Sequence, residues 1–144
     1  MRRHLACFLV AFAMFGLAAA PARAQEAPTL LINLTSDDVW TQQMAFQFGR
    51  NFMDLTGGQL VVFLNVRAVN VANRNVPQHT TALTGKTPQA LAAELMADGA
   101  RVFLCQGCTE QAGLSIDDRI DGVLPSGPEL HEILAAPGTK VMSY

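Results

Sequence analysis

The order of apolar runs along this 144-residue chain predicts an α/β fold. A mostly parallel sheet carries helices on both faces, a three-layer α/β/α arrangement. Three observations predict it. Strand-like runs such as Leu30-Leu31-Ile32 and Leu60-Val61-Val62-Phe63-Leu64 are apolar at consecutive positions, as strands covered on both faces are. Between such runs, apolar residues recur every three to four positions, the period of a helix face. The alternation of strand, helix and strand builds right-handed βαβ units.

The first strand is Thr29 to Leu34, after a short leader at Gln25 to Pro28. Thr35-Ser36-Asp37-Asp38 then supplies side chains that cap free N–H groups and complement the positive end of a helix dipole. The helix runs from about Val39 to Leu55. Trp40, Met44, Ala45, Phe48, Phe52 and Leu55 are its expected buried stripe, and Gln43, Gln47, Arg50, Asn51 and Asp54 its polar side. Phe46 and Met53 fall off that stripe, as surface residues or contacts to another subunit. Gly57-Gly58 ends the helix. Gln59 to Asn65 is the second strand. Val66 to Lys86 shows no clear periodicity and reads as a long loop, functional or partly disordered, at a strand's carboxyl end on the same rim as Cys105, where it could cover the thiol site.

Thr87-Pro88 opens a second helix with Leu91, Ala92, Leu95 and Met96 as its buried stripe. The stretch Arg101 to Gly113 follows, and the rest of the chain reads as its scaffold. Val102-Phe103-Leu104 is a buried strand, Cys105 marks its end, Gln106-Gly107 permits a turn, and Cys108 to Ala112 begins a helix that Gly113 stops. Leu114 to Leu124 holds at most a turn of helix. Ser126-Gly127-Pro128-Glu129 has the spacing of a capping box, ahead of a short helix whose apolar face is Leu130, Ile133 and Leu134. Thr139 to Tyr144 is a final strand.

The N-terminus reads as an address. Met1-Arg2-Arg3-His4 is basic, Leu5 to Ala20 is almost wholly apolar, and Ala22-Arg23-Ala24 is an A-x-A cleavage pattern. Residues 1–24 are therefore expected to be a secretory signal peptide, and residues 25–144 a single mature domain in the periplasm or outside the cell. The apolar run is shorter than the roughly 20 residues of a membrane span. No other run suffices, so no membrane association is expected after cleavage. Arg2, Arg3 and Arg23 are three of the ten basic residues, which leaves seven against 12 acids in the mature chain, a net −5. That balance argues against nucleic acid as a partner.

Cys7 leaves with the signal, so the mature chain holds Cys105 and Cys108 alone. A Cys-x-x-Cys pair closes too small a loop to staple a fold. At a strand's carboxyl end, where α/β folds place their chemistry, and near a helix N-terminus, such a thiol is activated. The pair reads as redox-active or sulfur-carrying, with an inert local disulfide as the alternative. It differs from a thioredoxin, whose pair follows an early strand and precedes a long helix. Two Cys and two His fall short of a structural zinc set, and nothing beyond the two thiols favours copper(I). No metal or cofactor is expected. His79 sits in the long loop, either as a polar loop residue or as a base near the thiols; His131 reads as solvated. Asp37 and Asp38 read as caps, Asp117, Asp118 and Asp121 lack a calcium-loop pattern, and Trp40 reads as core.

The chain also resembles the DsrE/DsrF-like family of small sulfur-relay proteins, in its exported branch. The resemblance rests on Asn33-Leu34-Thr35-Ser36-Asp37-Asp38, on Val61-Val62-Phe63-Leu64-Asn65 with Val69, and on Leu104-Cys105-Gln106-Gly107-Cys108 with Gly113-Leu114. Asp121-Gly122-Val123 and the ending Lys140-Val141-Met142-Ser143-Tyr144 complete it. It implies a five-stranded, mainly parallel sheet, often a trimer or hexamer, and a cysteine after the third main strand that carries a persulfide; Cys105 is the expected carrier. In the expected mechanism, the Cys105 thiolate attacks a sulfur donor or disulfide, and Cys108 releases the product by closing the internal disulfide. The partners are then a sulfur donor or acceptor protein, or a small thiol. The second reading is a non-enzymatic oligomeric module that binds a ligand or partner through the Val66 to Lys86 loop and the strand-end rim.

Overall fold

The computed structural model describes residues 27–144. The expected signal peptide at 1–24 and the domain start at Gln25 lie outside the described residues. Five strands form one sheet: β1 (Thr29–Leu34), β2 (Gln59–Leu64), β3 (Arg101–Leu104), β4 (Leu124–Pro125) and β5 (Thr139–Ser143). Their order is β4-β3-β2-β1-β5, and every pairing is parallel. β1 lies in register with β2, Leu30 beside Leu60 and Ile32 beside Val62. The helices are α1 (Val39–Thr56), α2 (Pro88–Ala97), α3 (Gln106–Gln111) and α4 (Pro128–Ala135). No helix among the described residues is long and apolar enough to cross a membrane.

Because successive side chains in a strand point to opposite faces, the apolar runs divide between two cores. Leu30, Ile32, Leu34, Leu60, Val62, Leu64, Val102 and Leu104 face α1 and α2, together with Phe46, Leu91, Ala92 and Leu95. Leu31, Val61 and Phe103 face the other way, under Leu130 and Ile133 of α4. Each fully buried side chain of this size contributes about 1.5–3 kcal/mol of transfer free energy. This is the predicted three-layer sandwich.

The helix α1 turns a different face to the sheet from the one its pattern predicts. Trp40 (75% exposed), Leu55 (85%), Met44 and Phe48 point to solvent, while Gln42, Gln43, Ala45, Phe46 and Gly49 are buried. The reason is close approach. A Cβ on Gly49 would lie 2.7 Å from Leu60 Cδ2 and 3.3 Å from Ile32 Cδ1, so α1 packs on its small residues. Phe46 fills the space beside them, and Phe52 and Met53 are half-buried against the same core. Gln42 and Gln43 go under with partners for part of each amide, although Gln43 Nε2 is buried with none among the described residues. Gln42 Nε2 donates to Ser36 O at 3.0 Å, and Gln43 Oε1 accepts from the hydroxyls of Thr81 and Thr84. Trp40 is therefore not core, and Phe46 is not a surface residue.

Two further segments differ from the sequence reading, and a third is made definite. Val66–Ala72 is a 3₁₀ segment that buries Ala68, Val69, Val71 and Ala72, so the long loop is in part core. Gly127, not Ser126, is the N-cap residue of α4, so no side chain caps the first N–H groups of that helix. Ser126 Oγ accepts instead from Gln106 N at 3.3 Å, and Glu129 pairs with Arg101 at 2.8 Å. Between α3 and β4 there is no helix: Asn73 and Arg119 form an antiparallel bridge that pins this segment to the end of the 3₁₀ segment.

Candidate functional site

The carboxyl ends of β1, β2 and β3 form one rim, the edge at which parallel α/β sheets bind ligands. Asn33 stands near the end of β1, Asn65 follows β2, and Cys105 follows β3, with its N–H donating to Leu64 O at 3.0 Å. Cys105 is also the N-cap residue of α3: its sulfur accepts from Cys108 N at 3.3 Å. Thr109, buried at 1% exposure, fixes the same turn, because its N–H and hydroxyl both reach Cys105 O, at 2.9 and 2.6 Å. This geometry places both cysteines, each half-buried, with Cα atoms 5.3 Å apart and their sulfurs bonded as a disulfide.

The Cys108 side of the pair meets β2. Val66 N donates to Cys108 Sγ at 3.2 Å and to Asn65 Oδ1 at 2.8 Å. Asn65 Oδ1 itself lies 3.2 Å from Cys108 Sγ, placed to accept from that sulfur when it is a reduced thiol. Asn65 Nδ2 donates to Asn33 Oδ1 at 3.4 Å, which orients the amide. Val66 has φ = 50°, a left-handed conformation that a β-branched residue adopts only under local constraint. Beside this turn opens a cavity of about 380 Å³, lined by Val66, Arg67, Val69, Asn70, Gly107, Cys108, Gln111 and Ala112. Arg67 at its edge pairs with Asp37, Nε to Oδ2 at 2.6 Å.

Of the residues singled out in the sequence, Cys105 and Cys108 are the ones brought together. His79 is exposed, and the side-chain bonds to the sulfurs come from Asn65, with none from His79 among the described residues. His131 is exposed, its Nδ1 2.9 Å from Gly127 O. Asp38 caps α1 by accepting from Thr41 N, as expected, whereas Asp37 instead pairs with Arg67. Asp118 accepts from Ser115 N and Oγ and from Asn75 Nδ2, and Asp121 pairs with Arg74. The Ser115 hydroxyl, then its N–H, holds the Asp118 carboxyl below its ordinary value.

The Val66 to Lys86 stretch was named as a candidate binding loop, but the contacts of Asn65 and Val66 with Cys108, and the 3₁₀ form of Val69-Asn70, were not legible. The 3₁₀ segment repeats every three residues (Ala68-Val69, Val71-Ala72), a period that a 3.6-residue template passes over.

A wholly parallel α/β domain with a cysteine pair at the carboxyl rim of its third strand is the class that fold and site define. The chain belongs to the DsrE/DsrF-like family, whose model matches residues 18–144. Two solved structures share the fold. MTH1491 from Methanobacterium thermoautotrophicum, described as a protein of unknown function, is 20% identical with a TM-score of 0.63, over 81% of this chain and 99% of its own. The ychN protein from E. coli is 18% identical with a TM-score of 0.62, over 83% of this chain and 100% of its own. No curated protein sequence matches the chain.

Proposed function

We propose that this is an exported DsrE-like protein that uses Cys105 and Cys108 in sulfur transfer or thiol–disulfide exchange. The observation that carries the reading is the pair itself: two bonded, half-buried sulfurs at the strand-end rim, beside a cavity of ligand size. Each sulfur also faces a backbone N–H, Cys105 that of Cys108 and Cys108 that of Val66, and such donors stabilise a thiolate. A disulfide across two intervening residues adds little to folding stability, which leaves chemistry as its role. The basic start, apolar run and Ala22-Arg23-Ala24 pattern support export to the periplasm or beyond. The partner is a sulfur donor or acceptor protein or a small thiol.

Self-association into a trimer or hexamer is part of this proposal. The solvent-facing stripe Trp40, Met44, Phe48 and Leu55 supports it, since a soluble domain seldom leaves such a row uncovered. A second reading, a binding module with an inert disulfide, is favoured by a separate cavity. It measures about 510 Å³ and is lined by Trp40, Gln43, Met44, Thr81, Ala82 and Leu83.

The deciding experiment is the intact mass of the protein, isolated from the cell envelope without reductant, before and after alkylation. A gain of one sulfur on either cysteine, or rapid reduction by mild thiols, supports the chemical reading. Cys105→Ser then abolishes transfer. A disulfide that resists mild thiols and carries no extra sulfur overturns it in favour of the binding module.

A further inference from the structure

We propose that the two sulfurs divide the work: Cys108 Sγ is the atom an incoming thiol attacks, Cys105 Sγ is the leaving group, and that thiol has an apolar body. The inference rests on the reading of the pair as reactive, and it reverses the order expected from sequence. Cys108 forms part of the 380 Å³ cavity wall, whereas Cys105 does not. The wall around it is largely apolar, with Val66, Val69 and Ala112 beside the Cβ-free Gly107.

The hydrogen bonds give the two sulfurs different capacities for charge. Cys105 Sγ receives the N–H of Cys108 at 3.3 Å. Cys108 Sγ shares the N–H of Val66 with Asn65 Oδ1, which holds the shorter bond, 2.8 against 3.2 Å. That same Oδ1, 3.2 Å from Cys108 Sγ, opposes negative charge there and accepts a thiol proton. Charge therefore settles better on Cys105, and exchange is faster when the better-stabilised thiolate leaves.

The sequence of bonds follows. A thiolate from the cavity forms a disulfide with Cys108 Sγ, the Cys105–Cys108 bond breaks, and its electron pair stays on Cys105 Sγ against the Cys108 N–H. A second thiolate attacks the substrate sulfur of the mixed disulfide. A substrate disulfide leaves, and the Cys108 thiolate takes up a proton from solvent, so that its S–H donates a hydrogen bond to Asn65 Oδ1. Two thiols lose two electrons, which the protein disulfide gains.

The test is to mix the oxidised protein with benzyl mercaptan for seconds and quench in acid. The adduct is then located by fragment ions of the tryptic peptide spanning 102–119. At least tenfold more adduct on Cys108 than on Cys105 is expected, and faster formation than with 2-mercaptoethanesulfonate at equal thiolate concentration. An adduct mainly on Cys105 overturns the division of labour and leaves the reactive pair standing. Equal rates for the two thiols overturn the apolar ligand class. A disulfide that gives no adduct on either sulfur overturns the reactive pair and this inference with it.

Discussion

The N–H of Val66 points at the sulfur of Cys108 from 3.2 Å, and Val66 holds it there at φ = 50°. The same N–H reaches Asn65 Oδ1 at 2.8 Å, so the turn after β2 combines a shared donor with a backbone that valine resists. A left-handed β-branched residue costs on the order of 1–3 kcal/mol. Val66→Gly removes that cost and keeps the N–H. A gain of about 1 kcal/mol in urea unfolding is expected, with Cys108 still accessible to exchange. A loss of stability would show that the conformation is not strained.

Asn65 accepts from Val66 N and stands against Cys108 Sγ. Asn65→Asp keeps the acceptor and adds a negative charge at that distance, which disfavours a second one on the sulfur. In reduced protein, alkylation of Cys108 by iodoacetamide is expected to slow about tenfold, the equivalent of ~1.4 kcal/mol, while Cys105 changes less. Equal slowing at both sulfurs would dismiss the asymmetry.

Gly49 is where α1 touches the sheet, its missing Cβ 2.7 Å from Leu60 Cδ2. Leucine has the better helix propensity by roughly 1 kcal/mol. Overpacking here costs more, so Gly49→Leu is expected to destabilise by about 1–3 kcal/mol in denaturant unfolding. An unchanged midpoint would mean that α1 sits further from the sheet.

Phe46 and Trp40 exchange the roles their spacing suggests, at 1% and 75% exposure. Phe46→Ala is expected to cost about 3–5 kcal/mol. Trp40→Glu changes the stability of the subunit by less than about 0.5 kcal/mol and lowers the sedimentation mass of any oligomer. Equal losses of stability in the two variants would mean that α1 turns both side chains toward the sheet.

Asp118 ties Ser115 to Asn75, and its carboxyl is held below the ordinary value, chiefly by the Ser115 hydroxyl. A group with a lowered folded value stabilises above its unfolded value, about pH 3.9, and that contribution disappears as acid protonates it in the folded state. The difference in thermal midpoint between the protein and Asp118→Asn is therefore expected to be full at pH 7 and to shrink below about pH 4. A difference that grows in acid would reverse the sign.

The layers and the place of the thiol pair follow from local pattern. Consecutive apolar residues in Leu30-Leu31-Ile32 and Leu60 to Leu64 need cover on both faces, and alternating strands and helices admit few topologies other than a parallel sheet. Cys105 follows a short buried run, so its position at a strand end could be read from pattern alone. Tertiary structure decided what depends on distance. The apolar stripe Trp40-Met44-Phe48 does name a face of α1, but the approach permitted by Ala45 and Gly49 turns the opposite side to the sheet. Buried Gln42 and Gln43 depend on partners at Ser36, Thr81 and Thr84 that no local pattern supplies. The surroundings of Cys108 were hidden for the same reason. Asn65 and Val66 lie 43 and 42 residues away in the chain and reach the sulfur because β2 and β3 pair in parallel, Leu64 beside Leu104. Local periodicity records where apolar side chains recur; it does not record which elements come close enough to cover them or to bond.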